Sequence, residues 1–145
     1  MLRYFLTAVV MFIAFMFSSQ SALAEDWREE ECRMNRGTPT WTTWDVKQMI
    51  HCAINKWPVP GGFDQAVDVA SCESGSDLLD HSTDGFAGTY QQATQYWPGR
   101  QRTAQHALGW KLQNSVFNPR PNVIVSVRMA HQEGWTGHWP HCGYE

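Results

Sequence analysis

The sequence predicts a mainly helical α+β domain with one small β or irregular lobe. Three observations lead there. Val46, Met49, Ile50, Ala53 and Trp57 fall at helical spacing. No alternation of strands and helices of the parallel-sheet kind appears. Residues 76 to 89, SDLLDHSTDGFAGT, carry turn chemistry throughout.

The chain opens on MLRYFLTAVVMFIAFMFSSQSALA. Arg3 supplies a positive end, Phe5 to Phe17 is an apolar run broken only by Thr7, and Ala22-Leu23-Ala24 is a small-x-small cleavage site. This pattern predicts a secretory signal peptide over residues 1–24. The rival reading is an uncleaved membrane anchor, but the run falls short of the roughly 20 residues that span a bilayer. Cleavage after Ala24 leaves no stable membrane anchor and a secreted chain.

Residues 25–61 form an N-terminal arm and a helix. EDWREEECRMNRGTPT is charged and ends in a turn at Gly37-Thr38-Pro39, with Cys32 as its anchor. TWDVKQMIHCAINKW follows. Thr42 or Thr43 caps this helix, Thr42-x-x-Asp45 has the spacing of a capping box, and Pro58, Pro60, Gly61 and Gly62 end it. Residues 62–145 complete one compact domain with it. Asp64 is expected to cap a second helix, DQAVDVASCES, with Ala66, Val67, Ala70 and Ser71 on its buried face and Gly75 just past its end.

Asp84-Gly85 has the composition of a hairpin turn, and the alternative is an irregular stretch. A third helix is expected from about Thr89 to Trp97, stopping at Pro98, and a weaker one over Thr103 to Leu112, damaged by Gly109. NPRPNVIVSVRMAHQEGW is ambiguous. Val123, Ile124, Val125 and Val127 favour a strand by propensity, but Pro121 suits a first helical turn and Gly134 a helix end. The helix is chosen. WTGHWPHCGYE is too rich in Gly and Pro for a regular element.

Composition restricts the partners. Without Arg3 the 11 Lys and Arg become 10 against 14 Asp and Glu, a net charge of −4. With no basic stripe, nucleic acid is not expected as a partner, whereas an uncharged polymer such as a glycan is compatible. Four cysteines, Cys32, Cys52, Cys72 and Cys142, suggest two disulfides in an exported chain. A zinc site is the alternative, but neither CxxC nor HxxxH spacing is present and the six histidines form no constellation. No metal and no cofactor are expected, and the protein is expected to be a monomer. Of the eight tryptophans, most belong to the core and one or two to a groove.

The chemistry centres on Glu73, between Cys72 and a helix-stopping glycine. The negative end of the helix dipole and partial burial both disfavour its ionisation. A carboxylic acid kept protonated near neutral pH is what general-acid cleavage of a glycosidic bond requires. The plainer reading is a solvated helix-end residue.

Val69-Ala70-Ser71-Cys72-Glu73-Ser74-Gly75 resembles the V-A-x-C-E-S-G motif of resuscitation-promoting factors. These are secreted cell-wall glycosidases of the lysozyme-like superfamily, akin to SLT-type lytic transglycosylases. Gly85-Phe86-Ala87-Gly88-Thr89-Tyr90-Gln91 is similar to the G-x-x-G-L-F/M-Q segment of the transglycosylases, and Trp97 matches a tryptophan that follows it. Trp139-Pro140-His141-Cys142-Gly143 resembles the W-P-x-C-G terminus of resuscitation-promoting factors. The likeness covers roughly residues 62 to 143. It departs at Thr89, where leucine is usual, and at Tyr90, where resuscitation-promoting factors carry glutamine. The A-Y-N-A-G motif of larger transglycosylases has no counterpart beyond Asn122-Val123.

The resemblance implies a lysozyme-like fold, Glu73 as the catalytic acid, and a glycan groove lined by Gln91, Tyr90 and Trp97. It implies a Cys72–Cys142 disulfide, which leaves Cys32 to Cys52. The implied substrate is peptidoglycan, cut at the β-1,4 bond between N-acetylmuramic acid and N-acetylglucosamine. Asp77, Asp80 and Asp84 follow Glu73 in turn-rich sequence, and Asp84 is the residue a loop would bring across the groove. An acidic partner there would make the enzyme a hydrolytic muramidase; without one, a transglycosylase needs only Glu73. A non-catalytic glycan-binding or interaction protein on the same fold is the reading from another class.

Overall fold

The computed structural model describes residues 40–79 and 84–144. They belong to one compact unit, Gly37–Glu145. The signal-peptide expectation, the arm from residue 25 to 39, Cys32 and Asp80 lie outside the described residues.

The unit is α+β and mainly helical: four helices and one two-stranded antiparallel sheet among the described residues. α1 is Thr43–Lys56, with the expected capping box. The Asp45 amide donates to Thr42 Oγ1 (3.3 Å), and the Thr42 amide donates to Asp45 Oδ2 (2.9 Å). Two amides that a helix start leaves orphaned are thereby satisfied. Val46, Met49, Ile50 and Ala53 form its buried stripe.

α2 is Gly62–Ser74, two residues longer at its start than expected. Asp64 is not its cap. Gly61 and Gly62 both adopt positive φ, and the helix begins from Gly61 with no side-chain cap. Asp64 sits in the first turn, where its charge complements the positive helix end. The buried face is Ala66, Val69, Ala70 and Ser74, so Val69 and Ser74 take the places expected of Val67 and Ser71. Gly75 follows with φ 81.

The third predicted helix is absent. Its place is taken by a hairpin, β1 (Phe86–Ala87) against β2 (Gln92–Ala93), with Gly88 to Gln91 as the connection. Asp84-Gly85 precedes β1 rather than closing the hairpin; the Gly85 carbonyl accepts from the Thr94 amide at 2.8 Å. Pro98 starts a helix instead of stopping one. α3 runs Trp97–Leu108 with proline in its first turn, where its missing N–H costs nothing, and Gly109 closes it at φ 75.

α4, Pro119–Glu133, is the central element, packed chiefly against α1 and also against α3. Every residue from Pro119 to Val127 is buried. This explains the ambiguity of its sequence: a helical stretch enclosed on all sides shows no polar stripe over that length, and its β-branched run reads as a strand. Each fully buried valine or isoleucine there contributes about 1.5–3 kcal/mol. Asn118 caps it by accepting from the Arg120 amide at 3.0 Å.

The C-terminal segment from Trp135 has no regular structure but is firmly held. The Trp135 ring stacks on Tyr90 (5.5 Å between centroids), and Trp139 tilts against both. The Trp135 indole donates to Pro60 O and the Trp139 indole to Tyr90 O. Cys72–Cys142 ties the segment to the end of α2, with Cα atoms 5.8 Å apart. Cys52 is also disulfide-bonded; the expected partner, Cys32, lies outside the described residues.

Candidate active site

Glu73 occupies the last turn of α2, one residue before its end. Its side chain is half-buried. Burial pushes its carboxyl above the usual carboxylate range, and the nearby His141 partly offsets this. Among the described residues the carboxyl accepts no hydrogen bond, and His141 is the one charge that offsets its burial.

Glu73 faces a cleft of about 680 Å3. One wall is the hairpin, through Phe86, Gln91, Gln92 and Ala93. The start of α3 supplies Tyr96 and Arg100, and the C-terminal segment supplies Gly137 to His141. Among the described residues Glu73 is the only acid that lines it.

Gln91 lines the same cleft. It is one of three non-glycine residues with positive φ among the described residues (44°), and its side-chain amide donates to Gly88 O at 3.1 Å. A left-handed backbone at a glutamine is uncommon and persists only where its surroundings impose it. Here the imposed turn presents Gln91 to the same space as Glu73.

Tyr90 and Trp97 do not line the groove, and that expectation is corrected. Tyr90 is fully buried, with its hydroxyl donating to Ala66 O at 2.8 Å and its ring against Trp135 and Trp139. The small residues of α2 leave space for that ring, which is why an aromatic stands beside the hairpin. Trp97 is 5% exposed and belongs to the core. Asp84 is exposed, adopts φ 38 and is not among the cleft residues. Asp77 is exposed as well, and its carboxylate accepts from the Leu79 amide at 3.2 Å. No second carboxylate from this loop is placed beside Glu73 among the described residues.

The structure adds residues the sequence did not single out. Gln92 is buried and works in both directions: its amide nitrogen donates to Ser126 Oγ (2.6 Å), and its carbonyl accepts from the Arg100 guanidinium (2.7 Å). Arg100 also lies over the Tyr96 ring at 5.4 Å. Burial lowers the Arg100 pKa, with Tyr96 and Glu133 opposing. Phe86 and Tyr96 are 50% and 57% exposed on the cleft, unlike the other aromatics around it. Flat apolar faces of this kind suit the faces of sugar rings. A signal for these two existed in their position on either side of Gln91; nothing local marked Arg100.

His138 lines the cleft with Nε2 3.1 Å from Glu133 Oε2, close enough for an ion pair though off the axis of a good hydrogen bond. Burial lowers the His138 pKa most strongly, Glu133 raises it, and Arg100 adds to the lowering.

The arrangement can deliver a proton from a carboxylic acid to a polymer lying along the cleft. The disulfide at Cys72 fixes the acid's helix end to the segment that carries Trp139 and His141. No family model matches the chain, and comparison with the curated proteins and with the solved structures returns no match.

Proposed function

We propose that the protein is an exported peptidoglycan glycosidase on a lysozyme-like fold, acting as a lytic transglycosylase with Glu73 as its one catalytic carboxyl. The observation that carries this reading is a half-buried carboxyl, held toward its protonated form by burial, as the only acid among the described residues of an open cleft. A mainly helical unit with a small antiparallel lobe is compatible with the fold, and the Cys72–Cys142 bond suits an oxidising compartment.

In this mechanism the glycan chain lies across the cleft, with sugar faces against Phe86 and Tyr96. Glu73 protonates the glycosidic oxygen as the C1–O bond breaks. The resulting carboxylate then removes the proton from the 6-hydroxyl of the muramic acid, whose oxygen closes onto C1. The products are a free 4-hydroxyl on one fragment and a 1,6-anhydro ring on the other, and Glu73 is again protonated. Gln91 is assigned to hold the sugar beside the acid.

Hydrolysis makes a different demand. An inverting enzyme needs a base about 6.5–9.5 Å from the acid to activate water, and a retaining one a carboxylate nucleophile about 5–5.5 Å away. The absence of another acid among the described residues of the cleft favours the sugar's own hydroxyl as nucleophile. The test is release of soluble fragments from purified peptidoglycan. The wild type should release them and folded Glu73→Gln should not; no release by the wild type would leave a glycan-binding protein.

A further inference from the structure

Between α3, α4 and the C-terminal segment lies a second cleft, of about 470 Å3. It opens off the first: Tyr96, Arg100 and His138 line both. Its chemistry is different. The Glu73 cleft is lined by amides and aromatics with one arginine, whereas the second brings Arg100 from α3 together with Arg128 from α4.

Both guanidinium groups are held in place without being used up. Arg100 donates one NH1 bond to Gln92 Oε1 at 2.7 Å, and Arg128 one NH1 bond to Gln132 Oε1 at 2.9 Å. A guanidinium carries five N–H donors, so each retains donors for a ligand. Glu133 is the only acid among the described residues of this cleft; it lies against His138 and also favours the charge of Arg100, so the two arginines leave a net positive charge of one there. In a chain whose exported part carries net negative charge, two arginines sharing one concavity form a local positive site. Arginine forks match a planar carboxylate.

We propose that this second cleft is a carboxylate subsite, with Arg100 and Arg128 holding an acidic substituent that branches from the glycan in the Glu73 cleft. The inference rests on the glycan reading above and specifies which part of that substrate the second cleft takes: a carboxylate carried on the muramic acid. Such a carboxylate has two sources, the lactyl carboxylate of a peptide-free muramic acid and the carboxylates of a peptide attached there.

The experiment measures binding calorimetrically to the Glu73→Gln protein, so that no probe is cleaved. Three soluble probes of equal sugar length are used: a chitin oligosaccharide with no carboxylate, a peptide-free muroglycan, and a muroglycan bearing its stem peptide. Arg128 lines only the second cleft and is the residue to change. At least one acidic probe should bind about tenfold tighter than chitin, as expected for charge-assisted hydrogen bonds. Arg128→Gln should remove most of that advantage and leave chitin binding unchanged. The acidic probe that binds tighter identifies the source. Chitin binding with no gain from either carboxylate, or an Arg128→Gln loss equal for all three probes, would overturn the subsite alone. Failure of every probe to bind would overturn the glycan reading and the subsite with it.

Discussion

Asn122, in the buried centre of α4, holds the backbone at Tyr90. Its Oδ1 accepts the Tyr90 amide at 2.9 Å, while its Nδ2 donates to Ala87 O and Val116 O at 3.0 and 2.9 Å. One side chain thus satisfies three buried backbone groups and fixes the connection that presents Gln91. Gly88 is required beside it: φ is 77, and a Cβ there would run into the Asn122 amide and Val116 O.

Asn122→Ala leaves those three groups buried without partners. Each costs about 1–3 kcal/mol when unpaired, so the variant should lose at least about 3 kcal/mol in denaturant unfolding, and Gly88→Ala should be similarly damaging. A loss below 1 kcal/mol for Asn122→Ala would show that the hairpin is held by something else.

The helices were legible where their determinants are local. The capping box at Thr42 and Asp45 and the Pro-rich start of α4 lie within one turn of what they control. The stretch from Thr89 to Trp97 was not, because the residue that makes it a hairpin connection is Asn122, 32 positions away. Pro98 was read as a stop because proline marks either end of a helix, and which end depends on what precedes it. At the site, Glu73 and Gln91 stood out through their motifs. Tyr90 and Trp97 did not separate from the groove, since an aromatic next to a site and one beneath it look alike in sequence. Arg100 reaches the cleft only through packing of α3 on α4.

Burial of Glu73 has a thermodynamic signature. Its folded pKa is raised, so the folded state holds the proton more tightly than the unfolded state, and stability falls as pH rises from about 4.5 through the folded value. Glu73→Gln removes that loss. The variant should match the wild type below the window and become the more stable of the two above it, as read from melting curves across pH. A variant less stable at neutral pH would mean that the ionised carboxylate is a favourable part of the fold.

His141 opposes that shift by charge. His141→Gln should therefore move the alkaline limb of kcat/KM to higher pH, because the acid stays protonated longer without that opposing charge. An unchanged or lowered limb would separate His141 from the acid's titration.

The Cys72–Cys142 bond spans 70 positions, a closure worth on the order of 4 kcal/mol in the chain-entropy model. The double change Cys72→Ser and Cys142→Ser should lower stability by that order. It should also impair cleavage under conditions where the variant is still folded, since Trp139 and His141 ride on the released segment. Normal turnover by the folded double variant would remove the disulfide from the site's architecture.

The central claim is that one carboxyl, Glu73, cleaves the glycan with no second acid. Mass spectrometry of a purified peptidoglycan digest tests it most directly, because a 1,6-anhydromuramic end is one water lighter than a reducing end. The wild type should yield chiefly anhydro ends, and Glu73→Gln should lower their yield at least about 10²-fold, as expected for loss of a general acid. A digest dominated by reducing ends, or full activity in folded Glu73→Gln, would contradict it.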